Sequence, residues 1–216
     1  MIIKKIYKKL KNSFFLAAIY EKFFVYNFNE MVGSITIYFF KFIYSKNLKI
    51  KTGIKCWGTI LIRIQEKANV NIGKNCTIVS NNNRAGITIF TKFKLTALFD
   101  SKISIGNNVS FNGTSISCRT TSIKIGDGTI VGPNVIIVDS DFHGIYPPEN
   151  RENNLDYDSD RPVNIGDNVW IGMNTIVLKG VNIGNNSVVA AGSIVNNDIP
   201  SNCIVGGNPA KIIKEF

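Results

Sequence analysis

The stretch IGDNVWIGMNTIVLKGVNIGNNSVVAAGSIV, residues 165–195, repeats one six-residue word without interruption. An aliphatic residue opens each word, at Ile165, Ile171, Val177, Ile183, Val189 and Val195. In each of the first five words a small or β-branched residue stands four places after the opener, at Val169, Thr175, Val181, Ser187 and Ser193. A period of six fits neither the turn of an α-helix, about 3.6 residues, nor the two-residue alternation of a hairpin strand. It is typical of a parallel β-helix, whose short strands alternate with corners where Gly and Asn tolerate positive φ angles.

Further copies of the word extend the repeat toward the N-terminus. Regular words open at Ile125, Val131 and Ile137, and single good words open at Ile72 and Ile105. Residues 80–100 have alternating apolar positions but lack regularly spaced corner glycines. We therefore predict an all-β domain, a parallel β-helix over residues 49–216. Its early coils are expected to be irregular but still to stack their strands in parallel.

The basic charge of the chain is concentrated near its N-terminus. The 216 residues have a net charge of +10, and residues 1–55 hold eleven lysines against Glu21 and Glu30. That segment therefore has a charge of +9, which leaves about +1 for residues 56–216. Residues 2–24 place apolar side chains at helical spacing with most lysines on the other side, which predicts a basic amphipathic helix.

A second apolar run, residues 31–40, is far shorter than the ~20 residues of a membrane-spanning helix. We therefore predict that residues 1–48 form a helical N-terminal segment with two possible roles. The segment either packs on the β-helix or neighbouring subunits, or attaches peripherally to an anionic membrane surface.

Cysteine and histidine usage argues against a metal site. The four cysteines are far apart, and Cys76 stands where the repeat favours a small residue, so we interpret it as a packing residue. This usage indicates a reduced, cytoplasmic compartment. His143 is the only histidine, so we predict no metal. Lys92 and Lys94 are too few to predict a nucleic-acid surface.

The regular part of the repeat is interrupted directly after His143. The word that opens at Ile137 places the next opener at position 143, yet the next regular opener is Ile165. The intervening sequence is polar, charged and broken by three prolines, as is typical of a surface loop. We therefore predict that residues 144–163 form a loop that projects from the β-helix after His143.

The chain resembles the hexapeptide-repeat acyltransferases, in particular the sugar and capsular-polysaccharide O-acetyltransferases. Besides the repeat itself, the resemblance rests on the element Asp141-Phe142-His143 ahead of the loop and on the word Val169-Trp170-Ile171-Gly172 after it. It covers roughly residues 70–216 and is strongest after Asp127. The resemblance implies a left-handed β-helix, with three six-residue sides to a coil, and a homotrimer.

The same resemblance implies roles for residues at the loop. His143 is the implied general base, a task at neutral pH for which an imidazole with an ordinary pKa of about 6.5 is suited. Residues two apart in an extended segment share a face, so we predict that Asp141 orients His143, with Asp139 as the rival. Asp139, Tyr146 and Arg151 are candidates for binding the sugar.

Acetyl-coenzyme A is the donor that the resemblance implies, held between neighbouring subunits largely by main-chain groups. Matched word by word, the implied donor-binding residues are Trp170, Gly172, Met173, Ala191, Asn196, Asn197, Pro209 and Lys214. Main-chain N–H groups near Gly172 or Met173 are candidates for binding the oxyanion. Many relatives have a lysine where this chain has Asn197, so a charge is missing there.

The predicted function is an acetyl-CoA-dependent O-acetyltransferase for a sugar hydroxyl of a surface polysaccharide or its precursor. Two alternatives stay open: an N-acetyltransferase of a nucleotide-linked amino sugar, and a non-catalytic β-helix that scaffolds a membrane assembly. The first usually has a Rossmann-like nucleotide domain, yet no G-x-G-x-x-G follows a strand here. The His143 segment argues against the second. We expect a cytoplasmic protein, which is peripheral on the inner face of the cytoplasmic membrane if residues 1–48 attach to the membrane and do not pack in the trimer.

Overall fold

The structure is a computed structural model that describes residues 27–82 and 84–216. These residues form one α-helix, α1 (Asn29–Ile43), and twenty β-strands. Strands β1 to β10 are Leu48–Ile50, Lys55–Trp57, Leu61–Ile64, Asn69–Ile72, Thr77–Val79, Lys94–Ala97, Lys102–Ile105, Ser110–Asn112, Ser115–Cys118 and Ser122–Ile125. Strands β11 to β20 are Ile130–Pro133, Ile136–Val138, Val163–Ile165, Trp170–Ile171, Ile176–Val177, Asn182–Ile183, Val188–Val189, Ile194–Val195, Cys203–Gly206 and Lys211–Glu215. The helix predicted over residues 2–24 lies outside the described residues.

Each coil contributes one strand to each of three parallel sheets. Sheet A has the order β1-β4-β7-β10-β13-β16, and sheet C has the order β3-β6-β9-β12-β15-β18. Sheet B has the order β2-β5-β8-β11-β14-β17-β19-β20, in which only the last pair is antiparallel. This topology confirms the predicted parallel β-helix, which is left-handed as predicted.

The core consists of the repeat positions identified in the sequence. All six word openers from Ile165 to Val195 are at most 3% exposed, and the five small or β-branched positions between them are at most 1% exposed. Burying each such aliphatic side chain contributes about 1.5–3 kcal/mol. In the last coils the register pairs residues eighteen apart, such as Ile165 with Ile183. Asparagines occupy positive-φ corners, at Asn168, Asn174, Asn186 and Asn202.

Residues 80–93 differ from the prediction of irregular but strand-forming coils. Their described residues, 80–82 and 84–93, include no strand and form a loop that rejoins the β-helix at β6, so the predicted strand stacking is wrong for this stretch. Side chains replace the ladder hydrogen bonds: Ile89 N–H donates to Asn82 Oδ1 (2.6 Å), and Phe90 N–H donates to Asn134 Oδ1 (2.7 Å). The remaining early strands, β1 to β8, stack in parallel as predicted.

Helix α1 covers the N-terminal end of the β-helix. Its buried positions are Asn29, Gly33 and Ile37, spaced by four residues so that they share one face. Gly33 lies so close to the Cys56 carbonyl that any side chain there would collide with it. The other face exposes Met31, Ile35, Tyr38, Phe39, Phe42 and Ile43. Over the described part of the chain, no helix has both the length and the apolar character needed to cross a membrane.

Candidate active site

A long excursion leaves the β-helix at the corner between sheet C and sheet A. Strand β12 ends at Val138 and β13 begins at Val163, while the parallel register continues across the gap and pairs Ile125 with Ile165. We call residues 139–162 the projecting loop; it contains two short 3-10 turns. Val163, predicted to be the last loop residue, is instead buried in β13 because it stacks in the core on Ile123.

His143 is exposed near the start of the projecting loop. Its Nδ1 atom lies 3.0 Å from the main-chain carbonyl oxygen of Arg151, on the far side of the same loop. A carbonyl oxygen only accepts, so this contact requires the proton on Nδ1 and leaves the lone pair of the neutral ring on Nε2. The preceding residue, Phe142, has a φ angle of +67°, a conformation that is costly for a side chain of this size. The backbone turn at Phe142 therefore determines where His143 points.

Asp141 does not orient His143 in the way the sequence predicted. Its Oδ2 atom lies 2.5 Å from Lys179 Nζ, on the next coil of the same corner. Among the described residues, no hydrogen bond joins Asp141 to His143, whose ring is held by a carbonyl instead. The alternation on which the prediction rested holds only in extended chain, and the left-handed Phe142 between the two residues ends it.

Asp139 is buried and has a structural role. Its Oδ1 accepts a hydrogen bond from Arg119 N–H (2.7 Å), and its Oδ2 accepts from the Thr121 N–H (3.0 Å) and Thr121 hydroxyl (2.9 Å). Weaker contacts come from the Thr120 N–H and the Cys118 thiol. The carboxylate thus satisfies the donors of the corner in the coil beneath, and its full burial rules out the predicted contact with a sugar.

Arg119 connects both arms of the projecting loop to the β-helix: the outgoing arm, which follows β12, and the returning arm, which leads into β13. Its Nε and Nη2 atoms donate to Asp160 Oδ2 (2.8 Å) and Oδ1 (2.6 Å), a bidentate pair on the returning arm. Nη1 donates to the Phe142 carbonyl (2.8 Å) on the outgoing arm, and Nη2 also donates to the Asp156 carbonyl (3.0 Å). The Tyr157 ring covers the guanidinium at 4.8 Å. One side chain therefore fixes where the loop begins and where it ends.

The surroundings of Arg119 and Asp160 favour the charged form of each group. Burial by itself would raise the pKa of Asp160, but hydrogen bonds from Arg119, Thr120 and Ser140, together with the Arg119 charge, lower that pKa below its ordinary value. The hydrogen bonds that Arg119 donates to the Asp160 carboxylate raise the pKa of Arg119 against the opposing effect of burial. Both groups are therefore ionised at neutral pH, and the pair is a buried salt bridge.

Tyr146 and Arg151 lie on the projecting loop near His143. Tyr146 is 80% exposed, and its carbonyl oxygen accepts from Asn154 Nδ2 (3.3 Å). Arg151 Nε donates to the Ile145 carbonyl (3.2 Å), while its own carbonyl holds His143. Both side chains can be reached from solvent, as the predicted role in sugar binding requires.

Trp170 stands on the outer face of sheet B. It pairs with Ile130 on one side and Val188 on the other, and 56% of its surface is exposed. An indole in this position offers a large apolar surface to a ligand or a neighbouring molecule.

The other predicted donor-binding residues lie at two different corners. Gly172, Met173 and Ala191 stack at the corner between sheets B and C, where a Cβ on Gly172 would lie 2.5 Å from Ala191 N. Asn196 and Asn197 lie at the corner between sheets C and A, where the Asn197 amide donates to Asn196 Oδ1 (2.8 Å). His143 and Lys179 belong to this second corner. One chain therefore places His143 and the Gly172 corner on opposite edges of sheet C.

Pro209 and Lys214 belong to the C-terminal hairpin of β19 and β20. Pro209 is exposed in the turn, which is tied to the last coil by the Ala210 N–H donating to the Ile194 carbonyl (2.8 Å). Lys214 pairs with Ile204 across the hairpin, and its Nζ lies 5.2 Å over the Phe216 ring. Its ammonium is at the surface, as a contact with a phosphate requires.

Arg119 and Asp160 were not predicted from the sequence to belong to the site. The two residues are 41 positions apart and meet only because an excursion follows β12. The one signal in the sequence was Arg119 itself, because a charged residue is unusual directly after an inward position of the repeat, here Cys118.

Comparisons with known proteins agree with the fold. A family model described as bacterial transferase hexapeptide (six repeats) matches residues 162–197. The galactoside O-acetyltransferase of Escherichia coli K12 is 40% identical over 120 residues, 55% of this chain and 56% of that protein. WbbJ of Escherichia coli K12, named as a lipopolysaccharide biosynthesis O-acetyl transferase, is 31% identical over 159 residues, 71% of this chain and 75% of that protein.

Among solved structures, the crystal structure of the polySia-specific acetyltransferase NeuO aligns with a TM-score of 0.62 and 31% identity, over 78% of this chain and 67% of that one. Several curated relatives are matched over only 44–58% of their own length. The match to WbbJ spans three quarters of that protein, and together with the repeat model it places this chain in the hexapeptide-repeat acyltransferase family.

Proposed function

We propose that the protein transfers an acetyl group from acetyl-CoA to a sugar hydroxyl of a surface polysaccharide or its precursor, with His143 as general base. The observation that carries the proposal is the orientation of His143. Its Nδ1 is engaged by the Arg151 carbonyl, so the basic Nε2 is free on an exposed ring at the start of the projecting loop. This is the tautomer that a proton acceptor needs.

The proposed reaction is one transfer in which His143 handles one proton. Nε2 takes the proton of the sugar hydroxyl as that oxygen forms a bond to the carbonyl carbon of the donor thioester. The bond from that carbon to sulfur then breaks, and the leaving thiolate takes the proton from the imidazolium. Asp141 is paired with Lys179 and has no direct part in these steps.

The donor is proposed to bind between neighbouring copies in a homotrimer. The two corners that carry the implied donor-binding residues lie on opposite edges of sheet C, so a site formed by two chains brings a base from one to a Gly172 corner of the other. Trp170 and the Lys214 ammonium are exposed in a way that fits apolar and phosphate contacts with the donor. Light scattering is expected to give three times the mass of one chain; a fully active monomer would contradict the shared site.

The acceptor class is proposed from the relatives and from the loop. WbbJ is named for lipopolysaccharide biosynthesis, and NeuO is specific for polySia. An exposed tyrosine and an exposed arginine beside the base, Tyr146 and Arg151, are side chains that suit sugar hydroxyls and an acidic group.

A peripheral position on the cytoplasmic face of a membrane is proposed for the N-terminal segment. Helix α1 exposes several large apolar side chains, and residues 1–55 have a charge of +9. Such a combination favours binding to an anionic surface, where each lysine contributes on the order of 1 kcal/mol.

The experiment that tests the function is incubation of the whole chain with acetyl-CoA and a panel of glycans. The expected result is acceptor-dependent thiol release, together with a product heavier by one acetyl group that is lost in mild alkali, as an ester is. An alkali-stable product would indicate N-acetylation of an amino sugar. Binding without turnover on any glycan or amino sugar would favour a non-catalytic scaffold.

A further inference from the structure

The position of His143 depends on a backbone conformation that is not favourable by itself. Phe142 has a φ angle of +67°, and such a conformation persists only where neighbouring groups hold it. Two contacts do so here. The Phe142 N–H donates to Ser140 Oγ (2.8 Å), and its carbonyl accepts from Arg119 Nη1 (2.8 Å).

The second support of the His143 ring depends on the same guanidinium. Arg151, whose carbonyl holds Nδ1, lies between the outgoing arm and the returning arm of the projecting loop. Arg119 binds the returning arm through the Asp156 carbonyl and the Asp160 carboxylate. The spacing of the two arms, and therefore the distance from His143 to the Arg151 carbonyl, follows from these contacts.

The chemistry of the contacts requires arginine. Arg119 makes four hydrogen bonds from three nitrogen atoms, in the plane of one guanidinium that the Tyr157 ring covers. A lysine ammonium has three donors at one point and cannot bind a carboxylate in bidentate geometry while also reaching two carbonyls. The pair is 4% or less exposed, so water does not replace a lost contact easily.

We propose that Arg119, paired with Asp160, is a positioning residue: through the Phe142 and Asp156 carbonyls it sets the tautomer and direction of the His143 ring. This inference rests on the proposed function in assuming that His143 is the base. Arg119 itself does not touch the substrates. Its effect is therefore on the catalytic step and not on donor binding.

The test uses His143 as its own reporter, because it is the only histidine in the chain. The ring-nitrogen signals of a histidine-labelled protein without a histidine tag give its tautomer directly. We compare wild type, Arg119→Lys, the double variant Arg119→Met with Asp160→Leu, and the control Arg161→Lys. Arg161 is exposed, and its Nη1 contacts only the Asp158 and Asp160 carbonyls. The double variant leaves no unpaired buried charge, so we expect it to fold, and it removes the donor to the Phe142 carbonyl.

In both Arg119 variants we expect the His143 signals to move from one tautomer toward an average of two. We expect turnover to fall on the order of 100-fold, the effect of a small misplacement of a catalytic group, with the KM for acetyl-CoA unchanged within about twofold. The control is expected to match wild type in both measurements. Wild-type ring signals in the folded double variant would overturn the inference, whatever the turnover. Absence of transfer by the wild type would instead refute the proposed function, while the ring signals still decide the positioning role.

Discussion

Asp139 and Asp141 stand two residues apart, and the structure predicts opposite consequences for removing them. The Asp139 carboxylate is buried and accepts from the main-chain N–H groups of Arg119 and Thr121 at 2.7 and 3.0 Å and from the Thr121 hydroxyl at 2.9 Å. Asp141 is 39% exposed at its side chain and has one partner, Lys179. Asp139→Ala therefore removes a buried acceptor, and Asp141→Ala removes an exposed ion pair.

The magnitudes follow from these contacts. Each buried donor left without a partner costs about 1–3 kcal/mol, and Asp139→Ala leaves two main-chain N–H groups in that state, so we expect a loss of about 4 kcal/mol in the free energy of unfolding. An exposed ion pair contributes at most about 1 kcal/mol, which bounds the effect of Asp141→Ala.

Urea denaturation of wild type and both variants, at equal protein concentration, measures the difference. We expect an early transition for Asp139→Ala and a nearly unchanged one for Asp141→Ala. Equal stabilities for the two variants would refute the assignment of Asp139 to the structure of the corner and of Asp141 to its surface.

Three further predictions concern the donor, the salt bridge and the membrane. Trp170→Ala is expected to raise the KM for acetyl-CoA about tenfold, the loss of roughly 1.4 kcal/mol of apolar contact, without changing stability; an unchanged KM would remove Trp170 from the donor site. The pKa of Asp160 is lower in the folded protein than its ordinary value of 3.8, so its ionised form stabilises the fold above about pH 4 and this stabilisation is lost as the pH falls further. The unfolding free energy of wild type should therefore decline more steeply in acid than that of Asp160→Asn, and parallel curves would contradict the salt bridge. The whole chain should sediment with anionic vesicles at low salt and be released at high salt, whereas a protein that stays in the supernatant at low salt has no such attachment.

The repeat predicted the core of the β-helix because its two inward positions recur at fixed spacing. Ile165 and Val169 are buried, as are the equivalent residues of the following words. The prediction of strands is less accurate where this spacing changes. Paired residues of β5 and β8, such as Ile78 and Phe111, are 33 residues apart, whereas those of the last coils are eighteen apart. The extra residues belong to a loop whose hydrogen bonds come from asparagine side chains, and alternation of apolar residues does not distinguish such a loop from a strand.

The place of the candidate site in the fold could be predicted from the sequence, but its contacts could not. His143 stood out because it precedes the break in the period, and the structure places it on an exposed loop. Its partner is a main-chain carbonyl, at Arg151, a group that every residue type carries and no motif identifies. Arg119 is missed for a related reason. Its partners, residues 142, 156 and 160, lie on the projecting loop of the next coil. Predicting these contacts requires knowing how the loop folds back on the coil that contains Arg119.

The central claim is that His143 is the general base of an acetyl transfer, and the comparison of His143→Ala with wild type tests it most directly. The variant should keep its fold, because the ring is exposed, and should keep its affinity for acetyl-CoA. Acetyl transfer to the glycan accepted by the wild type should fall by about 10²–10⁴, the usual contribution of a general base. Glu152→Ala, an exposed position on the same loop, is the control and should retain full turnover. Retention of more than about a tenth of wild-type turnover by His143→Ala would contradict the account.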